Sequence, residues 1–161
     1  MIRALLGLVL AAQLPGCGFA LRGQSQLPPE MARTHLTAPA GSRELVNELT
    51  GLLRGNGIDI VAADAATAGL RITRNELARN VQSIGATARV REFVLVYQLE
   101  FDLVDAQGNT LLPSQLLELE RDYTFDQGQV LGAASEEEYL RQEMTRDMAR
   151  RIVESIELAI R

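Results

Sequence analysis

The sequence has few of the residues that build metal sites and disulfides. Its 161 residues include one cysteine, Cys17, and one histidine, His35. A zinc site needs three or four ligands taken mostly from cysteine and histidine, and a disulfide within the chain needs two cysteines. The composition therefore argues against both, and we expect no cofactor.

Basic side chains are fewer than acidic ones, and lysine is absent. The chain has 16 basic and 21 acidic side chains and a net charge of -5; it contains no lysine, so every basic side chain is an arginine. Domains that bind nucleic acid usually carry a strongly basic surface. The charge balance therefore argues against nucleic acid as a partner, while the length and a hydrophobic content of 47% indicate one folded domain.

Patterns that indicate catalysis are missing as well. A hydrolase with a nucleophile needs a base beside it, but His35 lies next to Leu36 in a candidate strand, where a structural or exposed histidine is the simpler interpretation. The sequence has no glycine-rich dinucleotide motif, no cluster of metal ligands and no carboxylate pair in a context typical of a glycosidase. We therefore predict that the protein is not an enzyme.

The N-terminal segment resembles a secretory signal. Arg3 precedes an apolar run from Ala4 to Ala12, which is shorter than the roughly 20 residues that span a bilayer. The ending Leu14-Pro15-Gly16-Cys17 resembles a bacterial lipobox, in which the cysteine is acylated, for example with palmitate, and becomes the mature N-terminus. The alternative is a plain secreted protein that is cut near Gly16 and keeps a free thiol.

These features divide the chain into three parts. We predict a lipoprotein signal peptide over residues 1–16, a lipidated N-terminus and tether over residues 17–30, and a single domain over residues 31–161. Acyl chains on Cys17 would hold the protein on a membrane, since each buried methylene contributes about 0.8 kcal/mol. Gly18 stands where an aspartate would, by resemblance to bacterial lipoproteins, favour the inner membrane, so we expect the outer membrane.

The domain opens with a pattern typical of a strand, a helix and a second strand. Met31 to Ala38 is a candidate strand, Ser42 is placed to cap a helix, and Gly55-Asn56-Gly57 ends that helix. Ile58 to Ala62 is the second candidate strand. One face of the helix is apolar and comprises Leu45, Val46, Leu49, Leu52 and Leu53.

Longer strands follow. Leu70 to Ile84 predicts a long strand with a bulge, and Arg89 to Val104 alternates at period two with one face buried. The buried positions are Phe93, Leu95, Tyr97, Leu99, Phe101 and Leu103. Turn residues from Asp105 to Asn109 precede a second alternating segment that contains Leu117, Leu119, Tyr123 and Phe125. The two segments together predict a hairpin.

The C-terminal segment predicts a long helix from Glu136 to Arg161. Ser135 and Glu138 have the spacing of a capping box at its start, and Glu137 and Arg141 have that of an ion pair one turn apart. Apolar residues recur every fourth position and predict a stripe that packs on a sheet: Leu140, Met144, Met148, Ile152, Ile156 and Ile160. We therefore predict an α/β fold with two helices covering one face of a mixed sheet.

Two arginines are placed where they could meet an anionic partner. Arg89 and Arg91 precede the clearest strand and follow the small residues Gly85-Ala86-Thr87-Ala88, so we expect them at the rim of a loop. A guanidinium binds phosphate through two parallel hydrogen bonds. The alternative interpretation is ordinary surface charge.

Several of these segments together resemble a known family. Cys17-Gly18-Phe19-Ala20-Leu21-Arg22 resembles the mature start of the LPS-assembly lipoprotein LptE family. The segment Leu49 to Ile60 with Asn56-Gly57, the Glu92-Phe93 entry to a long strand, and the acidic start of the helix that bears Met144 follow in the order typical of that family. The resemblance covers nearly the whole mature chain.

The resemblance implies a two-layer sandwich of two helices on a four-stranded mixed sheet, seated as a plug inside the LptD barrel of the outer membrane. It implies no catalysis. Such proteins assist barrel assembly and bind lipopolysaccharide, and basic residues on loops at the sheet edge are implicated in that binding. Arg89 and Arg91 are the nearest candidates here, whereas the second basic position of the family falls at Leu131 to Ala134, which contains no basic residue.

Two other functions remain open from the sequence. One is a lipoprotein subunit of an ABC-type envelope lipid transport system, which would associate with an inner-membrane or substrate-binding partner. The other is a structural envelope lipoprotein that binds no lipid beyond its own anchor. For the favoured function we expect the domain on the periplasmic side of the outer membrane and within the barrel lumen.

Overall fold

The computed structural model describes residues 27–84, 90–126 and 130–159, with the side chains at 83–91 and 125–134 outside that description. The strands are β1 (Arg33–Thr37), β2 (Asp59–Ile60), β3 (Ala68–Ile84), β4 (Val90–Asp105) and β5 (Thr110–Asp126). The helices are α1 (Arg43–Gly55) and α2 (Val130–Ala159). Short 3-10 turns lie at Pro29–Ala32 and Ala63–Ala65.

The strands form one mixed sheet in the order β2-β1-β3-β4-β5. β1 is parallel to β2 and to β3, while β3, β4 and β5 run antiparallel to one another. The prediction of two helices on a mixed sheet is confirmed, and the hairpin of β4 and β5 is confirmed with it. The sheet has five strands where the resemblance implied four; the additional one is the two-residue β2 on the outer side of β1, which lies in the candidate strand Ile58 to Ala62.

Both helices cover the same face of the sheet and enclose the core. The predicted inward positions of β4 are all buried, as are Leu45, Leu49 and Leu53 of α1. Four residues of the stripe on α2, Met144, Met148, Ile152 and Ile156, have no exposed surface, as predicted; Leu140 is partly buried against the core, and Ile160 lies outside the described residues. Burial of one such side chain contributes roughly 1.5 to 3 kcal/mol, so these stripes are the main source of stability.

A bulge in β3 changes which residues face the helices. The register against β4 shifts between Ile72 and Arg74. Ile72 lies opposite Phe101 on the helix side, and after the shift Asn75 and Arg79 take that side, opposite Leu99 and Leu95. The bulge predicted for this strand is therefore confirmed, and it turns two polar side chains towards α1 and α2.

Two predicted caps are wrong. Ser42 precedes α1 as expected, but its side chain makes no capping hydrogen bond, and its Oγ instead accepts one of 2.9 Å from Nδ2 of Asn75. Ser135 lies inside α2, because the helix begins at Val130, so it is not the residue that caps the start of the helix. The predicted end of α1 holds, and Gly57 takes the positive φ of 81° that turns the chain into β2.

His35 has the structural environment that the sequence suggested. Its Nδ1 lies 3.0 Å from the carbonyl oxygen of Val61, to which the ring N–H donates. In the three described ranges, no helix is long and apolar enough to cross a membrane.

Candidate functional site at the distal end of the sheet

The predicted arginine site lies at one end of the sheet, which we call the distal end. There β3 ends at Ile84, β4 begins at Val90, β5 ends at Asp126 and α2 begins at Val130. Arg91 is the second residue of β4, and its backbone pairs with Ile84 on one side and Phe125 on the other. Arg89 lies outside the described residues, as does the side chain of Arg91.

A group of five side chains, which we call the Glu137 cluster, lies beneath this end on the side that α2 covers. Its members are Arg79, Phe93, Tyr123, Glu137 and Arg141. Nη1 of Arg79 lies 3.0 Å from Oε2 of Glu137, and Nη2 of Arg141 lies 2.7 Å from Oε1. The hydroxyl of Tyr123 donates to Oε2 as well. One carboxylate therefore joins two strands to the helix.

The aromatic members of the Glu137 cluster orient the arginine. Phe93 and Tyr123 lie opposite each other on β4 and β5, with ring centroids 5.5 Å apart and planes inclined at 24°. The guanidinium carbon of Arg79 lies 4.8 Å from the centroid of the Phe93 ring. A cation over an aromatic face is attracted by the ring quadrupole, so Arg79 is held from two sides.

The cluster combines a stabilised carboxylate with an excess of positive charge. Burial raises the pKa of the Glu137 carboxyl, but hydrogen bonds from Tyr123, Arg141 and Arg79 outweigh burial and hold the pKa below its ordinary value. Burial and the hydrogen bond to Glu137 raise the pKa of Tyr123. The phenol therefore stays protonated as a donor, and two guanidinium groups face a single carboxylate.

Apolar surface is exposed next to these charges. Val81 on β3 is 55% exposed and Tyr139 on α2 is 58% exposed. Val81 lies opposite Phe93 and is two residues from Arg79 along β3, on the same face of the sheet. The distal end thus presents Arg79 beside the exposed side chain of Val81, a combination that suits a ligand with both anionic and apolar parts. Among the described residues, no group of three or more His, Cys, Asp or Glu could hold a metal ion.

Part of this site could be read from the sequence. The predicted pair of Glu137 and Arg141 is confirmed, with hydrogen bonds of 2.7 and 2.9 Å. Arg79 and Tyr123 were missed as its partners. Tyr123 could have been found because the alternation of β5 places it on the same face as Leu119. Arg79 could have been found because it lies two residues after Leu77 and therefore on the same face of β3.

Comparison with known proteins places the chain in a family. The model of the family LptE, lipopolysaccharide-assembly, matches residues 31–156. The chain belongs to this family. It is 25% identical over 158 residues to the LPS-assembly lipoprotein LptE of Photorhabdus laumondii, with 97% of this chain and 85% of that protein covered.

Solved structures of lipoproteins share the LptE fold seen here. The solution structure of lipoprotein B from Nitrosomonas europaea is 33% identical, with a TM-score of 0.71 over 84% of this chain and 88% of that one. The crystal structure of the rare lipoprotein B from Shewanella oneidensis is 30% identical, with a TM-score of 0.66 over 77% of this chain and 92% of that one. The two-layer arrangement is therefore the arrangement of these relatives.

Proposed function

We propose that this LptE-family chain is an outer-membrane lipoprotein that assists the assembly of lipopolysaccharide at the cell surface. In this proposal it is anchored through Cys17, serves as plug and assembly partner of the LptD barrel, and binds lipopolysaccharide without catalysing a reaction. The observation that carries the proposal is the family match over residues 31–156, which contains both layers of the domain. The name of the Photorhabdus laumondii relative supports the same assignment.

The distal end is the proposed lipopolysaccharide contact. Arg89 and Arg91 are the arginines proposed to pair with lipid A phosphates, since guanidinium-phosphate pairs are charge-assisted and bidentate. Exposed Val81 and Tyr139 supply apolar surface on the same end of the molecule. The Glu137 cluster supports this end because the ion pair of Arg79 and Glu137 fixes α2 to the sheet. Arg79 lies opposite Leu95, four residues from Arg91 along β4.

The contact is tested by charge reversal at the loop. Arg89→Glu with Arg91→Glu is expected to weaken lipopolysaccharide binding about tenfold or more in a direct titration of the purified protein. The matched control is Arg43→Glu with Arg54→Glu, which reverses two exposed charges on α1. Circular dichroism checks that each variant is folded. Equal binding of lipopolysaccharide by the two double variants would show that Arg89 and Arg91 are not part of the site.

The partnership with a barrel has a separate test. The tagged protein is purified from outer membranes in mild detergent, and an outer-membrane barrel protein is expected to co-elute at a fixed ratio. Co-elution of an inner-membrane transport subunit would instead support the ABC-type function. Recovery of the protein alone, together with no lipopolysaccharide binding, would support a structural lipoprotein.

The anchor is tested at Cys17. Labelled palmitate is expected to enter the wild-type protein and not Cys17→Ala, and the variant is expected to leave the membrane fraction, since the acyl chains supply the membrane affinity. Cys17→Ser serves as a second variant with nearly the same side-chain volume. Membrane retention of both variants would show that another part of the protein holds it there.

A further inference from the structure

β5 forms an unpaired edge of the sheet in the described part of the molecule. β5 is the last strand in the sheet order and spans 17 residues. Within the described ranges, no strand pairs with its outer side. An unpaired strand edge presents a row of N–H and C=O groups to which another extended chain can add.

Two side chains show which residues of β5 turn their backbone outward. Nη1 of Arg151 donates to the carbonyl oxygen of Glu118 at 3.4 Å, and Nη1 of Arg121 donates to that of Glu120 at 3.0 Å. Residues two apart in a strand direct their backbone groups to the same side. Glu118 and Glu120 therefore face the free edge, while Leu117 and Leu119 pair with β4.

The two faces beside this edge differ in chemistry. On the uncovered face of the sheet, Glu118, Glu120 and Asp122 form an exposed acidic row that follows Leu116, which is 61% exposed. On the helix side, a groove of about 490 Å³ lies between β5 and the end of α2. Leu117, Leu158 and Ala159 form its apolar lining, Gln115, Arg151, Glu154 and Ser155 form its polar lining, and Leu158 is 63% exposed.

The acidic side chains beside the edge indicate which kind of chain can pair with β5. A second copy of this chain, paired through the same edge, would place acidic side chains opposite one another, and like charges directly opposite are destabilising. A strand with basic side chains on one face and apolar side chains on the other matches the acidic row on the uncovered face and the part of the groove that Leu117 and Leu158 line. Alternation at period two provides that pattern in any extended chain.

We propose that the edge of β5 from Leu116 to Asp122 docks an extended segment of a partner protein as a sixth strand. Basic side chains of the segment lie over Glu118, Glu120 and Asp122, and its apolar side chains enter the groove between Leu117 and Leu158. The guanidinium groups of Arg121 and Arg151 occupy one lone pair of each outward carbonyl, which leaves the second lone pair for an incoming amide. This site is independent of the proposed lipopolysaccharide contact at the distal end.

The test uses a short designed peptide in which lysine alternates with valine or leucine. It is titrated into the isotope-labelled protein, and hydrogen exchange is expected to slow at the amides of Glu118 and Glu120 while those of Leu117 and Leu119 are unaffected. N-methylation of the alternate peptide amides that face β5 is expected to weaken binding about tenfold or more. N-methylation of the other set leaves binding unchanged and is the matched control.

Charge reversal in the protein completes the test. Glu118→Lys with Glu120→Lys is expected to lose the lysine peptide and to bind its glutamate counterpart, while Glu48→Lys with Asp64→Lys, which alters exposed charges elsewhere, keeps the original preference. Equal binding of the two N-methylated peptides, or no protection at Glu118 and Glu120 at about 1 mM peptide, would overturn the proposal. Concentration-dependent dimerisation with protection at the same amides would overturn it in favour of a second copy.

Discussion

Arg79 on β3 and Glu137 on α2 are 58 residues apart in the chain, and Nη1 of the arginine lies 3.0 Å from Oε2 of the carboxylate. Among the described side chains of α2, Met144 is the first that is fully buried in the apolar core. The helix is therefore held in two ways, by apolar packing that begins with the partly buried Leu140 and is complete from Met144 onward, and by a polar network near its start. Substitutions in the two parts should act on different properties of the protein.

Glu137→Gln is expected to lower the free energy of unfolding by about 1 to 3 kcal/mol, because the substitution removes a partly buried charge on which two guanidinium groups and a phenol converge. Urea unfolding measures the change as a lower midpoint with an unchanged slope. Glu138→Gln is the control, since Glu138 is exposed and, among the described residues, accepts a hydrogen bond from Gln142 one turn along the helix. Equal stabilities of the two variants would show that the network contributes nothing.

Acid should remove the contribution of Glu137. Its pKa is lower in the folded chain than in the unfolded chain, since the hydrogen bonds of Tyr123, Arg141 and Arg79 outweigh burial. The stabilisation is therefore fully present above the unfolded pKa and is lost as the pH falls through the folded pKa. The difference in unfolding free energy between the wild type and Glu137→Gln should be constant above about pH 5.5 and shrink below it; a constant difference down to acid pH would contradict the assignment.

The sequence predicted those elements whose signal is a simple period. β4, the hairpin and the stripe of α2 follow from alternation at two residues or recurrence at four, and each was found. The bulge in β3 leaves a weaker signal, a change of phase between Leu70 and Ile72 on one side and Leu77 and Val81 on the other, yet it decides that Asn75 and Arg79 face the helices. The start of α2 was misjudged for a related reason: Ser135 has the sequence context of a cap, but the helix continues upstream to Val130. The order of strands, and with it the free edge of β5, is a tertiary property that periodicity does not contain.

The bulge also creates a polar bridge that a double-mutant cycle can measure. Asn75 donates to Oγ of Ser42 at 2.9 Å, and its Oδ1 accepts from the hydroxyl of Tyr97 at 2.7 Å. Burial raises the pKa of Tyr97 to about 12, so the phenol remains a donor throughout the neutral range. Asn75→Ala is expected to cost about 1 to 3 kcal/mol, and Tyr97→Phe should cost about 1 kcal/mol less in that background than in the wild type. Additive effects of the two substitutions would show that Asn75 and Tyr97 are not coupled.

Two glycines around α1 should respond to alanine in opposite directions. Gly51 lies within α1 and Gly57 follows it with a φ of 81°, and an added methyl group would meet no atom within 4 Å at either position. Backbone conformation alone therefore decides the effect. Gly51→Ala is expected to raise the free energy of unfolding by about 0.5 to 1 kcal/mol through helix propensity, and Gly57→Ala to lower it by about 1 to 2 kcal/mol because an L-residue is strained at positive φ. Urea unfolding of both variants provides the measurement, and each is the control for the other; a shift in the same direction would show that the turn at Gly57 can relax without strain.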